Sequence, residues 1–169
     1  MMRVAIVGNS GSGKTTLARR IAADSGLPIL DLDTIAWEPG KIAVARDADE
    51  ALADVRKFCN SSDSWIVEGC YASLIDAALR SGPGLLVLDP GLEQCVSNCR
   101  SRPWEPHKYS SQEEQDKQLA FLLEWVAEYY SRSDDMSLEA HKALYDGYNG
   151  PKQWLSTLND PVQVAVEAR

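Results

Sequence analysis

The run Gly8-Asn9-Ser10-Gly11-Ser12-Gly13-Lys14-Thr15 sets glycines, a lysine and a hydroxyl side chain at the spacing G-x-x-x-x-G-K-[ST]. Glycines let a backbone fold around an oxyanion without Cβ clashes, so that consecutive N–H groups point inward. A helix starting at the end of the loop adds its positive pole. Lys14 is expected to reach the β- and γ-phosphates of ATP, and the Thr15 hydroxyl to ligate Mg²⁺. Thr16 is expected on the α-phosphate. Gly8 to Thr16 is thus the expected ATP-binding segment.

Phosphoryl transfer also needs carboxylates and further cations. Asp31 and Asp33 alternate after a short apolar pair, Ile29-Leu30, and both can enter one crevice. Asp31 is assigned to the outer shell of the metal and Asp33 to the acceptor hydroxyl. Asp89 ends the apolar run Leu85–Leu88 and competes with Asp31 for the metal. In Glu68-Gly69-Cys70-Tyr71, Gly69 is expected to let an acceptor near the backbone, and Glu68 and Tyr71 to hydrogen-bond it. Arg102, then Arg132, are the arginines expected to close on the phosphates. Trp104, His107 and Tyr109 lie in the segment that would move with them.

Strands and helices must hold these groups in place. Arg3–Val7, Ile29–Leu30, Ser64–Glu68, Leu85–Asp89 and, weakly, Gln153–Thr157 read as strands. Helical patterns run from the glycine loop to about Ser25, over 47–60, 73–80 and 92–102, from Ser111 past Tyr130, and from Ser137 to Gly147. Ser111 with Glu114 forms a capping box, and Asp160-Pro161 is a start signal for a closing helix. Trp37–Ala45 reads as irregular. The alternation implies βαβ crossovers, hence an α/β three-layer fold with a five-stranded parallel sheet and helices on both faces. Ligands of such sheets lie at the carboxyl ends of the strands, where Gly8, Asp31, Asp33, Glu68 and Asp89 fall.

The 169 residues fit one domain, 1–169, with a mobile lid or insertion at roughly 100–135. A net charge of −8 disfavours nucleic acid as a partner. No apolar run is long enough to span a membrane, and no signal-peptide core precedes the glycine loop, so a cytoplasmic location is expected. Cys59, Cys70, Cys95 and Cys99 lack the spacing of a metal framework and read as core residues.

The glycine loop, Asp31-Leu32-Asp33 and Trp65-Ile66-Val67-Glu68-Gly69-Cys70-Tyr71 resemble the adenylate kinase and shikimate kinase superfamily. The resemblance is nearest to its DNA-topology-modulation-like (FlaR-like) branch. It implies a P-loop kinase fold, ATP as donor, and an adenine-cradling loop at roughly Ser156 to Asn159. The expected function is transfer of the γ-phosphoryl group of ATP·Mg²⁺ to a hydroxyl or phosphate acceptor of small size. The alternative is an ATP-binding regulatory module with slow or no transfer. Members that phosphorylate acids hold them with arginines. This chain offers only Lys41, Arg46, Arg56, Lys57 and Arg80 in that region, so a neutral or cationic hydroxyl compound suits Asp33 and Glu68 better.

Overall fold

In β1 (Arg3–Gly8), Val4 and Ile6 face one layer and Ala5 and Val7 the other, all without solvent exposure. Burial on both faces is the condition of a central parallel strand. The computed structural model describes residues 1–23, 25–41, 44–106 and 109–164. β1 pairs in parallel with β3 (Trp65–Gly69) and β4 (Gly84–Leu88). β2 (Ile29–Asp31) extends the sheet beyond β3, and β5 (Lys152–Leu155) beyond β4. The result is one all-parallel sheet, β2-β3-β1-β4-β5. Its register sets Asp31 opposite Glu68 and Gly8 opposite Leu88, so the chemical residues share one edge.

Helix α1 (Lys14–Ala22) lays Leu17, Ala18 and Ala22 on Val4, Ile6, Ile66 and Leu86. On the opposite face, α3 (Ala48–Ser61) and α4 (Ala72–Leu79) bury Ala51, Val55, Leu74 and Ile75 against Ala5, Val7, Val67 and Val87. α7 (Leu138–Gly147) adds Leu144 and Tyr145 to that layer. Each fully buried large aliphatic side chain contributes about 1.5–3 kcal/mol, so both layers are needed to hold the sheet. α5 (Leu92–Arg100) and α6 (Gln112–Glu128) pack through Cys95, Cys99 and Val126. Helices therefore cover both faces, as the alternation of patterns requires. No helix among the described residues is long and apolar enough to cross a membrane.

The local departures have local causes. α1 ends at Ala22, and the Gly26 amide, at φ +61°, bonds the Ala22 carbonyl. A short helix, α2 (Asp33–Ala36), follows β2 because Asp31 Oδ1 accepts from the Asp33 amide and turns the chain. The segment after it is not wholly irregular: Trp37 and Ala45 form an antiparallel bridge. Ser111 caps α6 as expected, but the Glu114 carboxylate takes the Ser110 amide and hydroxyl. β5 starts at Lys152, since the Leu85 amide already bonds the Pro151 carbonyl. No helix opens at Asp160: its carboxylate takes the upstream amides of Ser156 and Thr157, and 161–164 are not helical.

Candidate active site

Gly11, at φ +77°, sits in the left-handed region that side chains avoid. A Cβ there would also lie 2.4 Å from the Cys95 carbonyl oxygen. The loop is tied down on its outer side. Asn98 Nδ2 on α5 donates to the Gly11 carbonyl at 2.8 Å, and Asn9 Nδ2 donates to the Val126 carbonyl on α6 at 3.0 Å. On its inner side, Lys14 is buried, and Nζ donates to the Asn9 carbonyl at 2.8 Å. No side chain caps α1, so its first amides stay available to an anion. Asn9 Oδ1 and Ser12 Oγ are buried without a hydrogen-bond partner. Thr16 is exposed on the first turn, and Ser10 lies beside the Cys99 thiol. This donor-rich, anchored cradle fits a polyphosphate.

Thr15 Oγ1 donates to Glu68 Oε1 at 2.6 Å. Glu68 is 2 % exposed. Burial raises its pKa, against the pull of Lys14 and with the push of Asp31 and Asp33. The carboxylate attached to the expected Mg²⁺ ligand is therefore Glu68. Asp31 Oδ1 instead receives the Asp33 amide, and Asp89 Oδ1 receives the Tyr130 hydroxyl at 2.7 Å. The oxygen set of Thr15 and Glu68 suits a hard cation such as Mg²⁺.

Asp33 stands at the start of α2 and close enough to Glu68 to disfavour its charge. Tyr71 donates to Asp33 Oδ1 at 2.6 Å, and Trp37 Nε1 donates to the Tyr71 oxygen at 2.6 Å. Burial, with Asp33 adding to it, raises the phenol pKa far above its ordinary value, so Tyr71 keeps its proton. At Gly69 a Cβ would lie 2.7 Å from Leu32 Cβ, so the missing side chain makes room for Leu32.

The two arginines differ. Arg102 bonds Glu105 at 3.3 Å and contacts the Cys99 thiol, which itself lies against Gly11. It stands one side chain from the loop. Arg132 donates to the carbonyls of Trp125 and Met136, pairs with Asp134 at 3.3 Å, and stacks 3.8 Å over the Trp125 ring. That guanidinium secures the corner between α6 and α7. Among the described residues, its hydrogen bonds, ion pair and ring contact are all with that corner. Trp104 Nε1 donates to the Tyr109 carbonyl; His107 lies outside the described residues.

Sequence reasoning gave His141 no role. It is wholly buried on α7, with Nε2 on the Cys70 carbonyl and Nδ1 on the Tyr129 hydroxyl, both at 2.8 Å. Burial pushes its pKa down to about 4. The neutral ring donates from Nε2 to Cys70 and accepts at Nδ1 from Tyr129. It thereby pins the turn between Glu68 and Tyr71. Only its position on the inner face of a helix could have signalled this. Leu158, within the loop expected at Ser156 to Asn159, has its side chain against Gly13.

No family model and no curated protein matches the chain. Solved structures do. One is an unliganded sugar kinase from Janibacter sp. HTCC2649, with a TM-score of 0.53 at 19% identity, covering 95% of this chain and 87% of that one. Another is a gluconokinase from Sinorhizobium meliloti 1021, with a TM-score of 0.53 at 18% identity, covering 92% and 83%. The chain has the P-loop kinase fold. At these identities the likeness is one of fold alone, and it does not support the DNA-topology-modulation-like branch.

Proposed function

We propose that this protein is an ATP-dependent kinase of a small hydroxyl compound. The observation that carries the reading is the Thr15–Glu68 hydrogen bond, which links the phosphate cradle to a strand-end carboxylate beside Asp33. Gly8 to Thr15 would hold the phosphates, with the ammonium of Lys14 countering their charge. Thr15, backed by Glu68, would hold Mg²⁺, in place of the role first given to Asp31. Magnesium, bound with the nucleotide, neutralises charge on the phosphate oxygens. Asp33 would orient the acceptor hydroxyl and take its proton as that oxygen bonds to the γ-phosphorus and ADP leaves. Catalysis of this kind is mostly positioning and charge stabilisation. Arg102, beside the loop, is the better placed of the two arginines to approach the phosphates. Leu158 would line the adenine end. The segment at 100–135 would exclude water as it closes.

A neutral or cationic acceptor fits best. Arg46, a cation available on the acceptor side, is held by the Ile35 carbonyl, Asp54 and Glu50. The solved neighbours, a sugar kinase and a gluconokinase by name, support a hydroxyl acceptor as a class. The sequence resemblance to the DNA-topology-modulation-like branch adds no acceptor.

The test is ADP formation with Mg²⁺·ATP against a panel of neutral polyols, amino alcohols, hydroxy acids, nucleosides and nucleoside monophosphates. Turnover that depends on a panel member is expected, and Lys14→Ala abolishes it. Asp33→Asn should lower kcat more than it weakens ATP binding. Equal kcat in wild type and Asp33→Asn removes Asp33 from the chemistry. Absence of binding heat from ATP in calorimetry overturns the whole reading.

A further inference from the structure

We propose that Trp37 is a positioning residue of the acceptor site, acting through Tyr71 on Asp33. The inference rests on the reading of Asp33 as the acceptor-side carboxylate, and it adds a residue which that reading does not contain. Indole Nε1–H can only donate a hydrogen bond. A phenol has a single proton and can accept as well as donate. Trp37 Nε1 lies 2.6 Å from the Tyr71 oxygen, which lies 2.6 Å from Asp33 Oδ1. With the indole fixed as donor, the Tyr71 proton is left for Asp33, and the chain runs one way: Trp37 to Tyr71 to Asp33. No tautomer or amide flip enters this assignment.

Without the indole, the phenolic proton could rotate away from the carboxylate. With it, Asp33 Oδ1 is held in place and the carboxylate is fixed in orientation. The two rings support the same geometry: their centroids are 6.3 Å apart at 68°, an edge-on contact. Trp37 is itself held where the chain leaves α2, bridged to Ala45. Tyr71 is anchored from the other side through Cys70, whose carbonyl receives His141 Nε2. Hydrogen bonds in series polarise one another, so the links are coupled. Both aromatic donors are committed within this chain. The wall they form therefore presents lone pairs, which matches an acceptor that brings hydroxyl or ammonium hydrogens.

The probe is Mg²⁺·ATP with water as the acceptor, so no substrate need be known. Trp37→Phe keeps a ring and deletes the donor. It is expected to lower kcat for ATP hydrolysis several-fold, with KM for ATP unchanged. On an Asp33→Asn background the same substitution should have no further effect, because the group it positions is gone. Additive losses overturn the positioning role and leave the kinase reading standing. Wild-type protein that turns over no ATP, alone or with the acceptor panel, overturns both. A second measurement is independent of activity. The Trp37 indole ¹H–¹⁵N resonance is expected to move in Tyr71→Phe and, through the relay, in Asp33→Asn. A resonance unmoved by Asp33→Asn breaks the chain of coupling and overturns the inference.

Discussion

Glu68, to which the proposed function gives the metal side of the site, is buried at a cost to stability. It is buried beside two other carboxylates, and its pKa is raised above the ordinary 4.5. Above 4.5 the unfolded chain gives up this proton before the native protein does. Stability therefore falls as pH rises from 4.5 to the raised native value, and above that the full cost remains. Glu68→Gln is expected to melt higher than wild type at neutral pH, with the difference closing as pH falls from the raised native value to 4.5. Phosphoryl transfer should drop sharply in the same variant. Thermal melts across pH, beside ADP assays, check both. A variant that is less stable at neutral pH would show that Thr15 and Lys14 outweigh the burial. Sequence reasoning placed Glu68 at the edge it occupies, with an acceptor role, and did not pair it with Thr15. Thr15 and Glu68 are far apart in the chain, and nothing local reveals their hydrogen bond.

Among the elements, the β3–α4 turn carries the greatest precision. Gly69 closes β3 where Leu32 packs, and a Cβ there would stand 2.7 Å from Leu32 Cβ. Overpacking of this kind costs about 1–3 kcal/mol. Gly69→Ala is expected to lose that much in urea unfolding, and Leu32→Ala in the same chain should recover part of it. An unchanged midpoint for the single variant would mean that β2 yields freely. The elements themselves were mostly legible. The apolar runs at residues 3–7, 64–68 and 85–89 gave strands within a residue or two, and Ser111 and Ser137 do cap helices. The failures had long-range or competing causes. Asp160 faces upstream amides, and Asp31 bends the chain into α2.

For the whole molecule, the acid response has a source in α7, in the buried ring of His141. His141 keeps its ring neutral down to about pH 4, whereas the unfolded chain protonates near 6.5. Between those values the unfolded state binds the extra proton, so this contribution, intact above 6.5, is lost as pH falls toward 4. The loss amounts to roughly 3 kcal/mol. Urea midpoints of wild type and His141→Gln, measured across this window, should show a shallower acid slope in the variant whatever its offset. Parallel slopes would exclude His141 as the source. Glu68 acts with the opposite sign, so Glu68→Gln should make the wild-type acid loss steeper.

The amino-acid order alone determined the phosphate loop, the parallel sheet and the edge that holds the chemistry. Those rest on local periodicity and on glycines, which act within a few residues. The tertiary structure decided which carboxylate meets Thr15, that Arg132 secures a corner, that Trp37 reaches Asp33 through Tyr71, and that His141 holds the Cys70 carbonyl. Hydrogen bonds between residues dozens of positions apart depend on strand register and helix packing, and no local pattern encodes them.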